Sequence, residues 1–258
     1  MAAVSDATSR TLLTPDDPAP LEIVNPDSDH PILLVCEHAG QAIPSVLGDL
    51  GLPGGDIDRH IGWDIGAGAV ARRMAERLGC ACVLQPYSRL VIDCNRPTAA
   101  PDSIPEVSDG STVPANLDLT EPERTARVDE IFQPFQDAVA NVLDRGPVRA
   151  AFSIHSFTPV FGGVSRPWDI GFLFRKDEHT SARLADLVKD LRPELRIGMN
   201  EPYRIDDLSD WFVPRHGEAR GLPHSLMEIR NDHIDGAAGQ DRWAEWLSVT
   251  LDRWLEGT

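Results

Sequence analysis

The stretch Pro31-Ile-Leu-Leu-Val-Cys36, followed at once by Glu37-His38-Ala39-Gly40, decides the fold class. A continuous apolar run of this length is typical of a strand that is buried on both faces of a parallel sheet. The charged residues that follow it mark the point where the strand ends. In an open α/β sheet, ligands bind at this carboxyl end of the strands.

Apolar runs and helical patterns continue to alternate along the chain. Asp64 precedes a helical pattern over residues 65–78, and Thr120-Glu-Pro-Glu123 has the capping-box spacing that begins a helix running to about residue 143. Strands that alternate with helices predict an α/β protein, a three-layer α/β/α sandwich around a mixed, largely parallel sheet. The other predicted elements are strands at 81–85, 90–92, 150–154, 170–174 and 225–230 and helices near 181–191 and 241–255.

The length of 258 residues fits one large α/β domain. Residues 1–28 are polar, with several prolines and aspartates, and are predicted to form an N-terminal arm. Residues 29–258 are predicted to form a single domain. Within it, residues 98–120 have no clear periodicity, and we expect a long surface loop there.

The formal net charge of −17 opposes binding to phosphate backbones, so nucleic-acid binding is not expected. No apolar stretch approaches the length needed to span a bilayer, and the N-terminus lacks the pattern of a signal peptide. The four cysteines form no C-x-x-C pair and are expected to be small core residues in a reducing compartment. We therefore expect a cytoplasmic protein without membrane partners; the sequence carries no signal for its oligomeric state.

Polar residues gather directly after the apolar runs, where they could converge in one crevice. No nucleotide-binding glycine motif and no G-x-S-x-G motif is present. A metal site accounts for the arrangement better, because catalytic zinc sites use three nitrogen or oxygen ligands and leave one position for water or substrate. The polar groups are Glu37-His38, Asp93-Asn95-Arg96, His155-Ser156 and Glu228-Arg230-Asp232.

His38 and His155 are the candidate nitrogen ligands, since each follows a predicted strand. The third ligand should be a carboxylate, and Asp64 at the start of a helix is the best placed. Glu37 and His60 are alternatives. An aspartate at this point is also a common helix N-cap, so both roles of Asp64 stay open.

Six segments, taken in order, resemble the N-formylglutamate amidohydrolase family. That family is similar in fold to zinc carboxypeptidases and aspartoacylases, so the resemblance implies a phosphorylase/hydrolase-like α/β/α sandwich with a single Zn²⁺. Other divalent transition metals also accept nitrogen and oxygen ligands. The implied reaction is hydrolysis of the amide bond of a small-molecule N-acyl amino acid, with N-formyl-L-glutamate as the namesake substrate. The segments are Val35-Cys-Glu-His-Ala-Gly40, Trp63-Asp-Ile-Gly-Ala67, Ser88-Arg-Leu-Val-Ile-Asp-Cys-Asn-Arg-Pro97, Ile154-His-Ser-Phe157, Asn200-Glu-Pro-Tyr203 and Met227-Glu-Ile-Arg-Asn-Asp232.

The resemblance implies that His38 and His155 bind the metal and that Glu228 is the general base. Carboxypeptidases have a glutamate three residues after the first ligand histidine, but this chain has Gln41 there. Asp64 is assigned as the third ligand, because it opens the next helix, where the relatives' glutamate also lies near a helix start, and because Trp63-Asp-Ile-Gly66 is part of the resemblance. Glu37, Gln41 and His60 remain the alternatives.

The resemblance also implies substrate contacts. Asn95 and Arg96 resemble a pair that binds a substrate carboxylate, and Asp93 is expected to orient Arg96 or a ligand histidine. Residues 197–220 could fold over the site as a lid. A cationic pocket for a dicarboxylate substrate could come from Arg89, Arg96, Arg166 and Arg230, although for Arg166 a surface position paired with an aspartate is expected. The expected substrate-binding residues are Arg89, Asn95, Arg96, Tyr203, His216 and Arg230.

Two alternatives stay open. The same metal could serve a deacylase or carboxypeptidase-like enzyme that acts on another N-acyl amino acid or a short peptide. The chain could also be a non-catalytic protein that binds a metal or a carboxylate, which predicts bound zinc without turnover. The presence of both a base and a carboxylate-binding pair favours an enzyme.

Overall fold

Seven strands form the central sheet in the computed structural model, which describes residues 11–257. The strands are β1 (Glu22–Val24), β2 (Ile32–Cys36), β3 (Ala81–Leu84), β6 (Ala150–Phe157), β9 (Ile170–Leu173), β10 (Ile197–Met199) and β11 (His224–Arg230), with two small hairpins, β4 (Val107–Ser108) with β5 (Ser111–Thr112) and β7 (Val160–Phe161) with β8 (Val164–Ser165). The strand order in the sheet is β1-β3-β2-β6-β11-β9-β10. The pairs β2–β3, β2–β6, β6–β11 and β9–β10 are parallel, whereas β1–β3 and β9–β11 are antiparallel.

Helices cover both faces of this sheet: α1 (Ala67–Leu78), α2 (Glu121–Arg127), α3 (Gln133–Asp144), α4 (Glu178–Leu191) and α5 (Ala237–Glu256). Alternate residues of β2 enter opposite cores, because side chains alternate along a strand. Ile32, Leu34 and Cys36 pack with α1, α4 and α5, whereas Leu33 and Val35 pack with α3. This arrangement confirms the predicted three-layer sandwich with a mixed, largely parallel sheet.

The predicted capping box is present, with Thr120 as the N-cap and Glu123 as its partner. The helical stretch that it begins runs to Asp144, but a π-helical turn at Val128–Phe132 divides it into α2 and α3. All four cysteines are free and buried, as core residues should be. No helix within residues 11–257 is long and apolar enough to cross a membrane.

Three predictions about individual segments differ from the structure. The apolar run 90–92 forms turns instead of a strand. It can be buried because side chains from other segments bind its backbone carbonyls; Asn116, for example, donates to the Leu90 carbonyl. Residues 22–24 of the predicted arm pair with β3 as an edge strand, while residues 1–10 lie outside the described part of the chain. The predicted loop 98–120 contains the hairpin β4–β5.

The parallel strands bring the candidate residues to one edge of the sheet. Glu37 and His38 directly follow β2, and His155 lies near the end of β6. Glu228 on β11 is the register partner of His155. Asp64 is joined to the end of β2, because its backbone N–H donates to the His38 carbonyl at 3.0 Å.

Gly66 allows the chain to turn from Asp64 into α1. Its φ is +81°, and a Cβ at this position would lie 2.1 Å from the Ile234 carbonyl oxygen. Gly66→Ala should therefore lower the free energy of unfolding by roughly 2–4 kcal/mol, through backbone strain and overpacking. Gly54→Ala is the matched control, since a Cβ there meets nothing within 4 Å. Denaturant unfolding measures both; equal stability of the two variants would contradict the packing described here.

Candidate functional site

A cavity of about 710 Å³ opens at the carboxyl edge of the sheet. Both hairpins contribute to its rim, and residues 203–205, 209 and 210 of the predicted lid segment line it. The structure brings most of the predicted site residues together here. Those that line the cavity are His38, Asp64, Arg89, Asn95, Arg96, His155, Tyr203 and Glu228.

Two imidazoles converge on one buried carboxylate at the base of the cavity. His155 Nδ1 donates to Asp64 Oδ2 at 2.8 Å, and His38 Nδ1 lies 3.4 Å from the same oxygen. The two rings meet edge to face with their centroids 4.8 Å apart. All three side chains are buried. Two nitrogen atoms and one carboxylate oxygen are thus close enough to share a metal ion.

A second carboxylate fixes each imidazole from its far side. His38 Nε2 donates to Asp93 Oδ1 at 2.7 Å, and His155 Nε2 donates to Glu37 Oε2 at 3.0 Å. Such carboxylates orient the ligand histidines of metal sites and raise their basicity. Asp93 therefore contacts a candidate ligand histidine, as the sequence analysis expected. Glu37, one of the alternatives for the third ligand, contacts the nitrogen of His155 that faces away from Asp64.

The cluster has unsatisfied polar atoms that a cation would satisfy. His38 Nδ1 and Asp64 Oδ1 are buried without a hydrogen-bond partner. Burial alone would raise the pKa of Asp64, but the neighbouring His38 and His155 hold it well below its ordinary value. Burial would lower the pKa of His155, but its hydrogen bonds to Asp64 and Glu37 raise it well above the ordinary value. A proton on His155 thus occupies the position that a metal ion would take.

Glu228 faces this cluster from the adjacent strand. Its Oε2 is buried and has no hydrogen-bond partner. Burial raises the pKa of Glu228 to about 7; the charge of Asp64 acts in the same direction, while His155 and His38 oppose it. A carboxyl group with this pKa can both accept and donate a proton near neutral pH.

The other two alternatives for the third ligand lie in different surroundings. His60 Nδ1 is 3.7 Å from Asp64 Oδ1, on the cavity wall. Burial lowers the pKa of His60 to about 4. Gln41 does not line the cavity, and its Nε2 donates to Asp58 Oδ1 at 3.1 Å.

Asn95 and Arg96 are held by the segment that borders the cavity. Asn95 Oδ1 accepts from the backbone N–H groups of Trp211 and Phe212 at 3.0 and 2.9 Å, and its Nδ2 donates to Asp210 Oδ2 at 2.7 Å. Arg96 donates to the Ser209 carbonyl and, through Nε, to Asp102 at 3.0 Å. These contacts tie residues 209–212 to the cavity wall; the binding of a substrate carboxylate by this pair stays a prediction.

Arg89 is engaged with the acidic cluster. Its NH2 donates to Asp93 Oδ2 at 2.7 Å, and its NH1 lies 3.6 Å from Asp64 Oδ1. Tyr203 lines the cavity, and its hydroxyl accepts from Arg166 NH1 at 2.9 Å. Arg166 is buried, contrary to the expected surface position, because the rings of Phe161 and Tyr203 pack against its guanidinium.

His216 and Arg230 do not reach the cavity. His216 lies on the π-helical turn Phe212–Gly217, and its Nε2 donates to Gln136 Oε1 at 2.7 Å. Arg230 is held by two carboxylates, donating from Nε to Asp232 at 2.8 Å and pairing with Asp169 at 3.5 Å. Their sequence positions near the site motifs suggested proximity, but their side chains point to other partners.

Comparison with known proteins identifies relatives over most of the chain. A family model described as N-formylglutamate amidohydrolase matches residues 30–234. The crystal structure of a gene product from Agrobacterium tumefaciens is 35% identical with a TM-score of 0.88, and the match covers 95% of this chain and 98% of that one. Among curated proteins, no sequence match was found.

The crystal structure of N-formylglutamate amidohydrolase from Ralstonia eutropha is also similar. It is 18% identical with a TM-score of 0.67, and the match covers 92% of this chain and 98% of that one. At this identity the likeness supports the fold alone.

The contacts of Asn95 predict a specific defect. Asn95→Ala removes three hydrogen bonds, so the free energy of unfolding should fall by roughly 2–4 kcal/mol. Amide hydrogen exchange at Trp211 and Phe212 should accelerate. Asn141→Ala, at an exposed position of α3, should change stability by no more than about 0.5 kcal/mol. Unchanged exchange at both amides in Asn95→Ala would show that Asn95 does not hold this segment.

Proposed function

The chain belongs to the N-formylglutamate amidohydrolase family, as its motifs predicted, and from this premise we propose that it is a metal-dependent hydrolase of N-acyl amino acids. The substrate that we propose is N-formyl-L-glutamate, which hydrolysis converts to L-glutamate and formate. The observation that carries the proposal is the convergence of His38 and His155 on Asp64, with Glu228 on the neighbouring strand.

We propose that His38, Asp64 and His155 hold the metal, which is Zn²⁺ or another divalent transition metal. The donor set of two imidazoles and one carboxylate suits such ions. When bound, the ion lowers the pKa of a water molecule and polarises the scissile carbonyl. Glu37 and Asp93 hold the two imidazoles in orientation through their Nε2 atoms. Binding would displace the proton from His155 Nδ1, so the affinity for metal should fall as the pH falls.

Glu228 is the proposed proton carrier. It takes a proton from the attacking water as the carbon–oxygen bond forms, and it delivers that proton to the amine nitrogen as the carbon–nitrogen bond breaks. A pKa of about 7 suits both roles, and positioned acid–base catalysis typically contributes ~10²–10⁴-fold in rate. Arg89, which pairs with Asp93 and lies near Asp64, offsets the negative charge of the cavity floor.

A larger N-acyl amino acid is the second candidate substrate. The cavity, at about 710 Å³, falls within the range that holds drug-sized ligands, whereas N-formylglutamate is small. Val160 and Phe161 on its rim are also exposed apolar residues, which could contact an apolar acyl group. A panel of N-acyl glutamates with formyl, acetyl and longer acyl groups distinguishes the two candidates through kcat/KM.

Two substitutions should separate metal binding from proton transfer. His155→Ala should lose both bound metal and turnover, whereas Glu228→Gln should keep the metal and lose at least about 10²-fold in kcat. Elemental analysis and formate release measure the two properties. Glu245→Gln, at an exposed position of α5, is the control and should retain both. Wild-type turnover by Glu228→Gln would exclude it as the proton carrier.

The carboxylate behind His155 provides an independent test. Glu37→Gln should weaken metal affinity by about 10–100-fold, because Gln does not stabilise the imidazole as a carboxylate does. Competition with a chromophoric chelator measures the dissociation constant. Glu76→Gln, on the exposed side of α1, should leave it unchanged. Equal affinity in Glu37→Gln and the wild type would contradict the proposed role of Glu37.

A further inference from the structure

Three of the four arginines that line the cavity are paired with carboxylates of the protein itself, and the fourth, Arg204, is exposed to solvent. Arg89 donates to Asp93, Arg96 donates to Asp102, and Arg59 pairs with Asp56 and Asp109. A paired guanidinium attracts an incoming anion more weakly, because the neighbouring carboxylate already compensates its positive charge. The cavity wall also contains acidic groups, and the whole chain has a net charge of −17. An anionic substrate would therefore gain most from a cation that is neither paired nor screened by water.

Arg166 is such a cation. Only 8% of the residue is exposed, and within residues 11–257 no carboxylate forms an ion pair with it. Its NH1 donates to the neutral Tyr203 hydroxyl at 2.9 Å. Its Cζ lies 4.7 Å from the ring centroids of both Phe161 and Tyr203. A buried guanidinium without a counter-ion is costly, so a site of this kind favours an anion.

Arg166 does not itself line the cavity, but the two aromatic rings that pack against its guanidinium, Phe161 and Tyr203, do. The Arg166 guanidinium also lies close enough to His60, another lining residue, to affect it electrostatically. Burial is the main cause that lowers the pKa of His60, and the positive charge of Arg166 acts in the same direction. The backbone N–H of Arg166 donates to the Pro159 carbonyl at 2.8 Å, which closes the hairpin β7–β8 and fixes the start of the side chain.

We propose that Arg166 binds a carboxylate group of the substrate, with Phe161 and Tyr203 holding its guanidinium plane in place. A planar guanidinium matches a carboxylate through two parallel hydrogen bonds, and stacking on aromatic rings keeps it ordered before the substrate arrives. The ligand class is the carboxylate of an N-acyl amino acid, so this inference rests on the proposed function. It assigns the binding of the substrate carboxylate to Arg166, directly after the hairpin β7–β8, rather than to Asn95 and Arg96.

Steady-state kinetics with three substrates tests the proposal: N-formyl-L-glutamate and its two monoamides, one blocked at the α-carboxylate and the other at the side-chain carboxylate. Arg166→Met should raise KM for N-formyl-L-glutamate on the order of 10–100-fold, with little change in kcat. The monoamide that lacks the anchored carboxylate should already bind weakly to the wild type, and its KM should not respond to the substitution. That monoamide identifies which carboxylate Arg166 binds.

A role of Arg166 in packing alone would raise KM by the same factor for all three substrates, and this result would overturn the proposal, as would an unchanged KM. Arg192→Met is the matched control, because Arg192 also stacks on an aromatic ring, 3.8 Å from the Trp246 centroid, but that ring does not line the cavity. Its kinetic constants should equal those of the wild type. If Arg166→Met does not fold, Arg166→Lys keeps the charge but loses the planar fork, and the same comparison of substrates applies.

A binding measurement separates this inference from the proposed function. If the wild type hydrolyses none of the three substrates, the proposed function fails, and thermal unfolding with added glutarate still tests Arg166. Glutarate should raise the Tm of the wild type and of Arg192→Met more than that of Arg166→Met. Equal shifts in the wild type and Arg166→Met, or no shift in the wild type, would overturn the inference.

Discussion

The buried carboxylate of Asp64 is the interaction on which the rest of the site depends. It is almost wholly excluded from water, so its charge must be compensated by the protein or by a bound cation. His38 and His155 supply nitrogen atoms on one side, and Arg89 approaches the other oxygen. The backbone N–H of Ser156 also donates to Asp64 Oδ2 at 3.2 Å. One side chain thereby joins the ends of β2 and β6 to the start of α1.

The sheet topology makes this convergence possible. Because β2, β6 and β11 are parallel neighbours, residues far apart in sequence reach the same edge. Their carboxyl ends deliver His38, His155 and Glu228 to one cavity without any long excursion of the chain. Glu37 and Asp93 then accept hydrogen bonds from the Nε2 atoms of the two imidazoles. These carboxylates orient the rings and raise their basicity, which favours the binding of a cation.

Local signals in the sequence were sufficient for much of the fold. The apolar run at 32–36 predicts a buried strand, and the capping-box spacing at Thr120 predicts a helix start, each from a few neighbouring residues. The structure contains both the strand and the capping box. Hydrophobicity alone was misleading at residues 90–92, since an apolar run reports burial but not the hydrogen-bond ladder. Here Asn116 and Arg127 satisfy the backbone carbonyls that strand neighbours would otherwise satisfy.

The surroundings of individual side chains depend on long-range contacts, which a single sequence does not record. Asn95 lies beside the motif residues, yet its partners are more than a hundred residues away, at Asp210–Phe212. Arg166 looked like a surface residue because neither Phe161 nor Tyr203 could be placed against it from the sequence. The convergence of His38, Asp64 and His155 was predictable, because both histidines follow apolar runs, Asp64 opens a helix and the ordered motifs include all three residues.

The most direct measurement titrates Zn²⁺ into chelator-treated protein and follows formate release from N-formyl-L-glutamate. If the cluster around Asp64 holds one catalytic ion, activity should rise in proportion to added metal and reach its plateau at one equivalent per chain. Full activity in the metal-free protein, or no formate release at any stoichiometry, would contradict the account.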